Sequence, residues 1–314
     1  MADSKTKNLD LSIVIPVYNE EAVLPFLIER LDKNIPSWGN CEIILVNDGS
    51  SDNTYNILKD SLGGKKHYKV VHFTRNFGHQ EAVSAGLAES SGNYVSIMDG
   101  DLQDPPELIN QMLDKLKNEN TEIVYAVRER RKGNILKRFF YKLFYRILRK
   151  LSDIKIPLDS GDFCIMSRLV VDKINSLPEH NRFVRGLRSW TGYKSTSIKY
   201  NREDRTIGKA KYSISKLFKL ALDGLTGFST IPLRLSIYIG FTIALLSFLA
   251  AIVILILRIT LAFNVSGWAS LILVVFFMGG VQLLLLGVVG EYIARIYTES
   301  QNRPVYVIKE KDGF

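Results

Sequence analysis

Cysteine is nearly missing from this chain. Two occur in 314 residues, Cys41 and Cys164, far apart and each in an apolar neighbourhood. That excludes a disulfide framework and a cysteine-based zinc site. Histidine is almost as scarce, and His67, His72, His79 and His180 show no H-E-x-x-H spacing, so no histidine metal centre is indicated. The N-terminal stretch MADSKTKNLD lacks an apolar run and reads as no secretory signal. Acid is in deficit too: 32 Asp and Glu against 41 Lys and Arg leave a net charge of +9. Such an excess asks for an anionic partner, whether nucleic acid, acidic lipid headgroups or a phosphorylated substrate.

Charge is lacking altogether in two long runs. Ile237 to Leu257 and Trp268 to Val289 contain none, and at ~1.5 Å per residue each is long enough to cross a hydrocarbon core of about 30 Å. The short link between them makes a hairpin with both ends on one side. Arg234, Arg295, Arg303, Lys309 and Lys311 flank those ends, against Arg258 alone in the link, so the ends should be cytoplasmic. Gly279, Gly280, Gly287 and Gly290 would let the second span approach a neighbour closely.

Ahead of the hairpin, strand and helix patterns alternate. Strands are expected at Leu11–Val17, Glu42–Asn47, Val70–Phe73 and Tyr94–Met98, and helices at Glu21–Leu31, Thr54–Leu62 and Gln80–Glu89. That order implies an α/β fold, a mostly parallel sheet with helices on both faces, whose ligands bind beyond the carboxyl ends of the strands. Acids fall at those ends: Glu20, Asp48, Asp99 and Asp101. In SIMDGDLQDPPE (Ser96–Glu107) the strand runs straight into acids, and Pro105-Pro106 stops further pairing. Carboxylates so crowded need a divalent metal, a cationic partner or water between them.

From Val127 the chain reads VRERRKGNILKRFFYKLFYRILRKL, basic throughout with Glu129 as its one acid. Apolar and aromatic residues recur at helical spacing, so residues 134–151 read as a basic interfacial helix lying in the headgroup region of a bilayer. A helix packed on the sheet with a solvated basic face is the other reading. The helical spacing of the aromatics argues against nucleic acid as the partner. Residues 213–230 are again amphipathic.

Several of these stretches together resemble one family. Ile15–Glu20 (IPVYNE), Val46–Asp52 (VNDGSSD) and Met98–Asp101 (MDGD) are similar to the nucleotide-sugar fold of inverting GT-A glycosyltransferases. Arg75–Gln80 (RNFGHQ), Asp101–Glu107 and the two-helix anchor narrow the resemblance to the polyisoprenyl-phosphate glycosyltransferases, the group of dolichol-phosphate mannosyltransferase and the bacterial bactoprenol glucosyltransferases of O-antigen modification. The resemblance implies a UDP-sugar donor, a polyisoprenyl phosphate acceptor, and Mg²⁺ or Mn²⁺ at Asp99 and Asp101 with help from Gln103. It assigns Pro16, Tyr18, Glu20 and Asp48 to the uridine half, where Asp48 would accept from the base and Glu20 from the ribose hydroxyls. Both charges would be tolerable because the binding edge is open to solvent and they receive hydrogen bonds. It gives the lipid phosphate to Arg128 and Arg138, adds Arg202 as a further basic contact, and places Arg205 and Lys211 on the diphosphate.

Asp162 stands where the family has its base. A phosphate monoester with a second pKa near ~6 is already ionised at neutral pH, so the resemblance is better served by an Asp162 that orients the acceptor or steadies positive charge on the sugar. The expected organisation is a catalytic domain over 1–212, amphipathic segments over 213–230, two spans within 231–297 and a tail over 298–314 with a strand at Pro304–Lys309. A homo-oligomer that exchanges this strand between subunits is the favoured arrangement, and pairing with the chain's own sheet the alternative. A processive polysaccharide synthase is disfavoured because Arg185–Trp190 (RGLRSW) has the wrong spacing for Q-x-x-R-W. A non-catalytic scaffold is disfavoured by the intact acids.

Overall fold

The computed structural model describes residues 9–128, 160–180, 182–201, 231–261 and 267–314. Within them lie β1 (Leu11–Val17), α1 (Leu24–Trp38), β2 (Cys41–Asn47), α2 (Thr54–Leu62), β3 (Tyr68–Phe73), α3 (His79–Glu89), β4 (Tyr94–Ile97) and α4 (Leu108–Asn118). There follow β5 (Ile123–Arg128), β6 (Ser160–Ser167), α5 (Arg168–Asn175), α6 (Val184–Trp190), β7 (Ser195–Tyr200), α7 (Ile231–Leu261), α8 (Trp268–Ser300) and β8 (Ile308–Asp312). The described residues fall into two compact units: the sheet with its helices and the tail from Arg303, and the two long helices.

The strands run β7-β5-β6-β4-β1-β2-β3-β8. β1 is parallel to both β2 and β4, β2 to β3, and β5 to β7. The strand order reverses at β1, between β2 and β4, which is where open α/β sheets bind ligands. β6 breaks the parallel pattern. It runs antiparallel to β4 and to β5, with Ile97 opposite Cys164 and Val127 opposite Ser160. Its first residues therefore arrive at the edge where β1, β2, β4 and β5 end.

All seven residues of β1 are buried, as befits a central strand covered on both faces. Leu11, Ile13, Ile15 and Val17 pack with Leu24, Leu27, Leu31 and Met112 on one face. On the other, α3 seats Ala82 and Ala85 against Ile44, Val46 and Val71. α3 lies so close that a Cβ on Gly86 would stand 2.2 Å from a methyl of Val14.

α1 starts three residues later than the sequence pattern suggests. Glu21 is held outside the helix: its N–H donates to Asp52 at 3.2 Å and its carboxylate accepts from the Asn53 N–H at 2.9 Å.

The tail strand also differs from expectation. It lies at Ile308–Asp312 and pairs antiparallel with β3 of its own chain. Exchange between subunits is thus not the arrangement found. Tyr306 stacks on Phe73 at 5.1 Å, and Glu310 takes Tyr55 at 2.6 Å and Lys59 at 2.8 Å, so the edge of β3 carries side-chain partners as well as open backbone groups for the strand.

Ser236–Ile254 in α7 and Val274–Ser300 in α8 are long and apolar enough to cross a membrane. Their apolar side chains are exposed, Phe241 by 69% and Phe276 by 77%, a state water would penalise and lipid would not. A Cβ on any of the four α8 glycines would meet nothing within 4 Å among the described residues. The interfacial helix, the amphipathic segments and the link between the spans lie largely or wholly outside the described residues.

Candidate active site

The site stands at one edge of the sheet, delivered by the ends of β1, β2, β4 and β5 and by the start of β6, with His79 and Arg185 added from the first residues of α3 and α6. Two loops build the nucleotide half by holding each other. Asn19, in the left-handed region at φ 51°, accepts from the Ser51 N–H at 2.8 Å and donates its own N–H to Ser50 at 3.0 Å. Glu20 donates its N–H to Thr54 at 3.0 Å. Pro16 is buried in β1, Glu20 is half-buried and Tyr18 is 38% exposed.

Asp48 departs from the sequence-based account in its setting, although it receives hydrogen bonds as expected. It is buried rather than set on an open edge, and its carboxylate accepts from the chain itself: Asn76 Nδ2 at 2.9 Å, the Phe77 N–H at 2.7 Å and the Gly78 N–H at 3.1 Å. Burial pushes its pKa up, and the two backbone donors oppose the rise. Gly49, at φ 60°, lets this loop pass, since a Cβ there would collide with the Arg75 backbone. Asp48 thus ties the end of β2 to the segment that opens α3 with His79.

Beyond β4, Asp99 and Asp101 are both half-buried. Asp101 accepts the Gln103 N–H at 3.2 Å across Leu102, which sits at φ 61°. Two carboxylates on a tight turn at a strand end are an all-oxygen donor set and fit a hard divalent cation.

Next to them lies a cluster that the sequence did not announce. Asp162, 5% exposed, holds Arg185 through both oxygens, at 2.6 Å from Nε and 2.7 Å from Nη2. His79 Nε2 reaches Asp162 at 3.1 Å and stands 3.8 Å from Asp99. Burial works against a charged His79, yet the hydrogen bond and charge of Asp162, backed by Asp99, carry its pKa up to about 9. Burial likewise opposes ionisation of Asp162, but the Arg185 charge and hydrogen bonds, then His79, hold it well below the usual carboxylate range.

His79, Asp99 and Asp162 bring ligand atoms within 4.8 Å of one another. A bidentate guanidinium already occupies Asp162, so this trio forms an ion-pair network, and the oxygen donors for a cation remain Asp99 and Asp101.

Arg188 fixes the cluster from below. It is 1% exposed and donates to the Gly161 carbonyl at 3.2 Å, the Asp162 carbonyl at 3.3 Å and the Cys164 sulfur, with its guanidinium 4.6 Å from the Tyr125 ring. Arg128, at the end of β5, hydrogen-bonds Tyr200, whose hydroxyl donates to the buried Asp104 at 2.6 Å. Arg128 lies against Gly161, 3.4 Å from the position of a Cβ.

The edge therefore gathers Pro16, Tyr18, Glu20, Asp48, Asp99, Asp101, Gln103, Arg128 and Asp162. Arg138, Arg202, Arg205 and Lys211 lie outside the described residues. His79 and Arg185 were missed as site residues. His79 sat unassigned in the RNFGHQ run, and a lone arginine some twenty positions beyond Asp162 gives no signal until α6 folds back on β6.

Residues 12–174 match the family model described as Glycosyl transferase family 2. The chain is 44% identical to an uncharacterized glycosyltransferase, YkcC, of Bacillus subtilis, over 98% of this chain and 96% of that one. An uncharacterized glycosyltransferase of Synechocystis is 45% identical, over 97% and 96%. The bactoprenol glucosyl transferase of Shigella phage SfV is 40% identical, over 96% and 99%.

Proposed function

The chain belongs to glycosyl transferase family 2, and from that premise we propose that it moves a glucosyl group from a UDP-sugar to a polyisoprenyl phosphate, with inversion, at the cytoplasmic face of a membrane. The observation that carries the reading is the meeting, at one sheet edge, of the Asp99–Asp101 oxygen pair with the Asp162–Arg185–His79 cluster. It is supported by the likeness, over nearly the whole length, to a bactoprenol glucosyl transferase, and by two helices able to span a bilayer. The basic residues flanking the helices favour cytoplasmic ends.

In this reading a phosphate oxygen of the acceptor attacks the anomeric carbon as the bond to the UDP oxygen breaks, and the bonding electrons leave with UDP. A Mg²⁺ or Mn²⁺ ion held by Asp99 and Asp101, with Gln103 beside them, would supply positive charge for the departing diphosphate. Tyr18 and Glu20 take the nucleoside. Asp48 acts at one remove, by fixing the loop that carries His79. The acceptor is already ionised and needs no base, and an Asp162 held this acidic by Arg185 makes a poor one. Asp162 instead supplies negative charge for the positive charge that develops on the sugar. Arg128 and Arg138, with Arg202, take the lipid phosphate, while Arg205 and Lys211 take the diphosphate.

The test is purified protein in detergent with Mg²⁺, undecaprenyl phosphate and a panel of labelled UDP-sugars, followed by lipid extraction. Label from UDP-glucose should enter the lipid phase. Absence of any lipid-linked sugar would refute the reading.

A further inference from the structure

Arg185 makes two bonds to Asp162, and that geometry raises a difficulty. With both its oxygens turned to a guanidinium and an imidazole, the charge of Asp162 is spent on its own chain rather than on a sugar. The two partners also differ in access. Asp162's side chain is 6% exposed, whereas Arg185's is 27% exposed and is the more accessible of the two. A second anion arriving at this edge therefore meets Arg185 before it meets the carboxylate. Arg188, by contrast, is 1% exposed and is held by two backbone carbonyls and the Tyr125 ring. It anchors the backbone of Gly161 and Asp162. Arg128 borders the same Gly161, so a phosphate lodged there would have guanidinium groups from two different elements around it.

We infer that Arg185 is a binding residue for the acceptor's phosphate monoester, and that the phosphate takes the guanidinium from Asp162 as it binds, turning the carboxylate toward the sugar. The inference rests on the transfer to a lipid phosphate proposed above. No covalent bond is made or broken in this step; one ion pair replaces another. A bidentate guanidinium suits the exchange because carboxylate and phosphate offer it the same pair of oxygens. The arrangement also couples acceptor binding to chemistry. Before the acceptor arrives, Arg185 compensates Asp162, and the charge meant for the sugar is withheld, which disfavours transfer to water.

The test uses the full-length protein in detergent, titrating undecaprenyl phosphate at saturating UDP-glucose and the reverse. Arg185→Gln should raise the KM for undecaprenyl phosphate about tenfold or more, the scale of one lost charge-assisted contact, and leave the KM for UDP-glucose within about twofold. Asp162→Asn should lower kcat while leaving the KM for undecaprenyl phosphate unchanged or reduced, because the competing charge is gone. Arg185→Lys, which keeps the charge and loses the fork, should fall between wild type and Arg185→Gln and serves as the test if the glutamine variant does not fold. A loss of kcat in both Arg185 variants with the acceptor KM unchanged would overturn the inference, leaving Arg185 a partner of Asp162 alone. So would an Asp162→Asn variant whose acceptor KM rises as far as that of Arg185→Gln. If the wild type forms no lipid-linked sugar, the transfer reading falls and this inference with it.

Discussion

Replacing Asp48 separates two roles that the sequence alone runs together, a ligand for the nucleotide base and a clasp for the chain. Asp48→Ala would leave Asn76 Nδ2 and the Phe77 and Gly78 N–H groups without their acceptor. A hydrogen bond to a charged group is worth ~1.5–3 kcal/mol, but such bonds do not add, and burial already costs the carboxylate part of that gain. A net loss of about 3 kcal/mol is a fair expectation. At ~2–4 °C per kcal/mol for a domain of this size, the melting temperature should fall by about 6–12 °C. Asp48→Asn keeps one acceptor oxygen in the same space and should lose roughly half as much. The assay is thermal melting of the full chain in detergent without nucleotide, paired with calorimetric titration of UDP. A variant that melts within about 1 °C of wild type yet binds UDP far more weakly would refute the clasp and return Asp48 to the base.

Three further outcomes are expected. Asp99→Ala and Asp101→Ala should each abolish transfer while leaving the melting temperature nearly unchanged, because both carboxylates stand at the half-buried edge rather than in the core; chelator should do the same to the wild type, and full turnover in chelator would count against the cation. His72 is 1% exposed, with Nδ1 3.1 Å from Asn47 Nδ2 and Nε2 3.3 Å from Asp312, and burial outweighs the nearby acids to lower its pKa. Protonation therefore favours the unfolded chain, so its stability contribution is full above the unfolded value of ~6.5 and is lost as pH falls below it toward the folded value; His72→Gln should flatten the fall in melting temperature between pH 7 and 5, and equal slopes would sink the argument. Removing the residues after Arg303 strips the ladder on β3 and the Tyr306–Phe73 stack, so the melting temperature should drop with no change of oligomeric mass in detergent; an unchanged melting temperature would show that the tail does not hold the sheet.

The sequence by itself determined the elements. Leu11–Val17 and Thr54–Leu62 lie where the apolar pattern puts them, because a central strand needs apolar residues on both faces and a covering helix needs them every three or four positions. It also determined which edge would hold the acids, since the carboxyl ends of parallel strands follow from the alternation of strand and helix. Local pattern says little about long-range partners, and there the reading stopped. Glu21 looked like the first residue of a helix until Asn53 and Asp52, some thirty positions away, took it out. Asp48 looked like an open carboxylate, and only the return of the 76–78 loop made it an internal clasp. The tail strand carried no mark of its partner, because main-chain pairing is set by which edge lies within reach. His79 and Arg185 could be joined to Asp162 only once the antiparallel register of β6 had brought its first residues beside the end of β4. Residue type supplied the chemistry of this protein, and tertiary structure decided which charges meet, because electrostatic coupling depends on distance in space and not on separation along the chain.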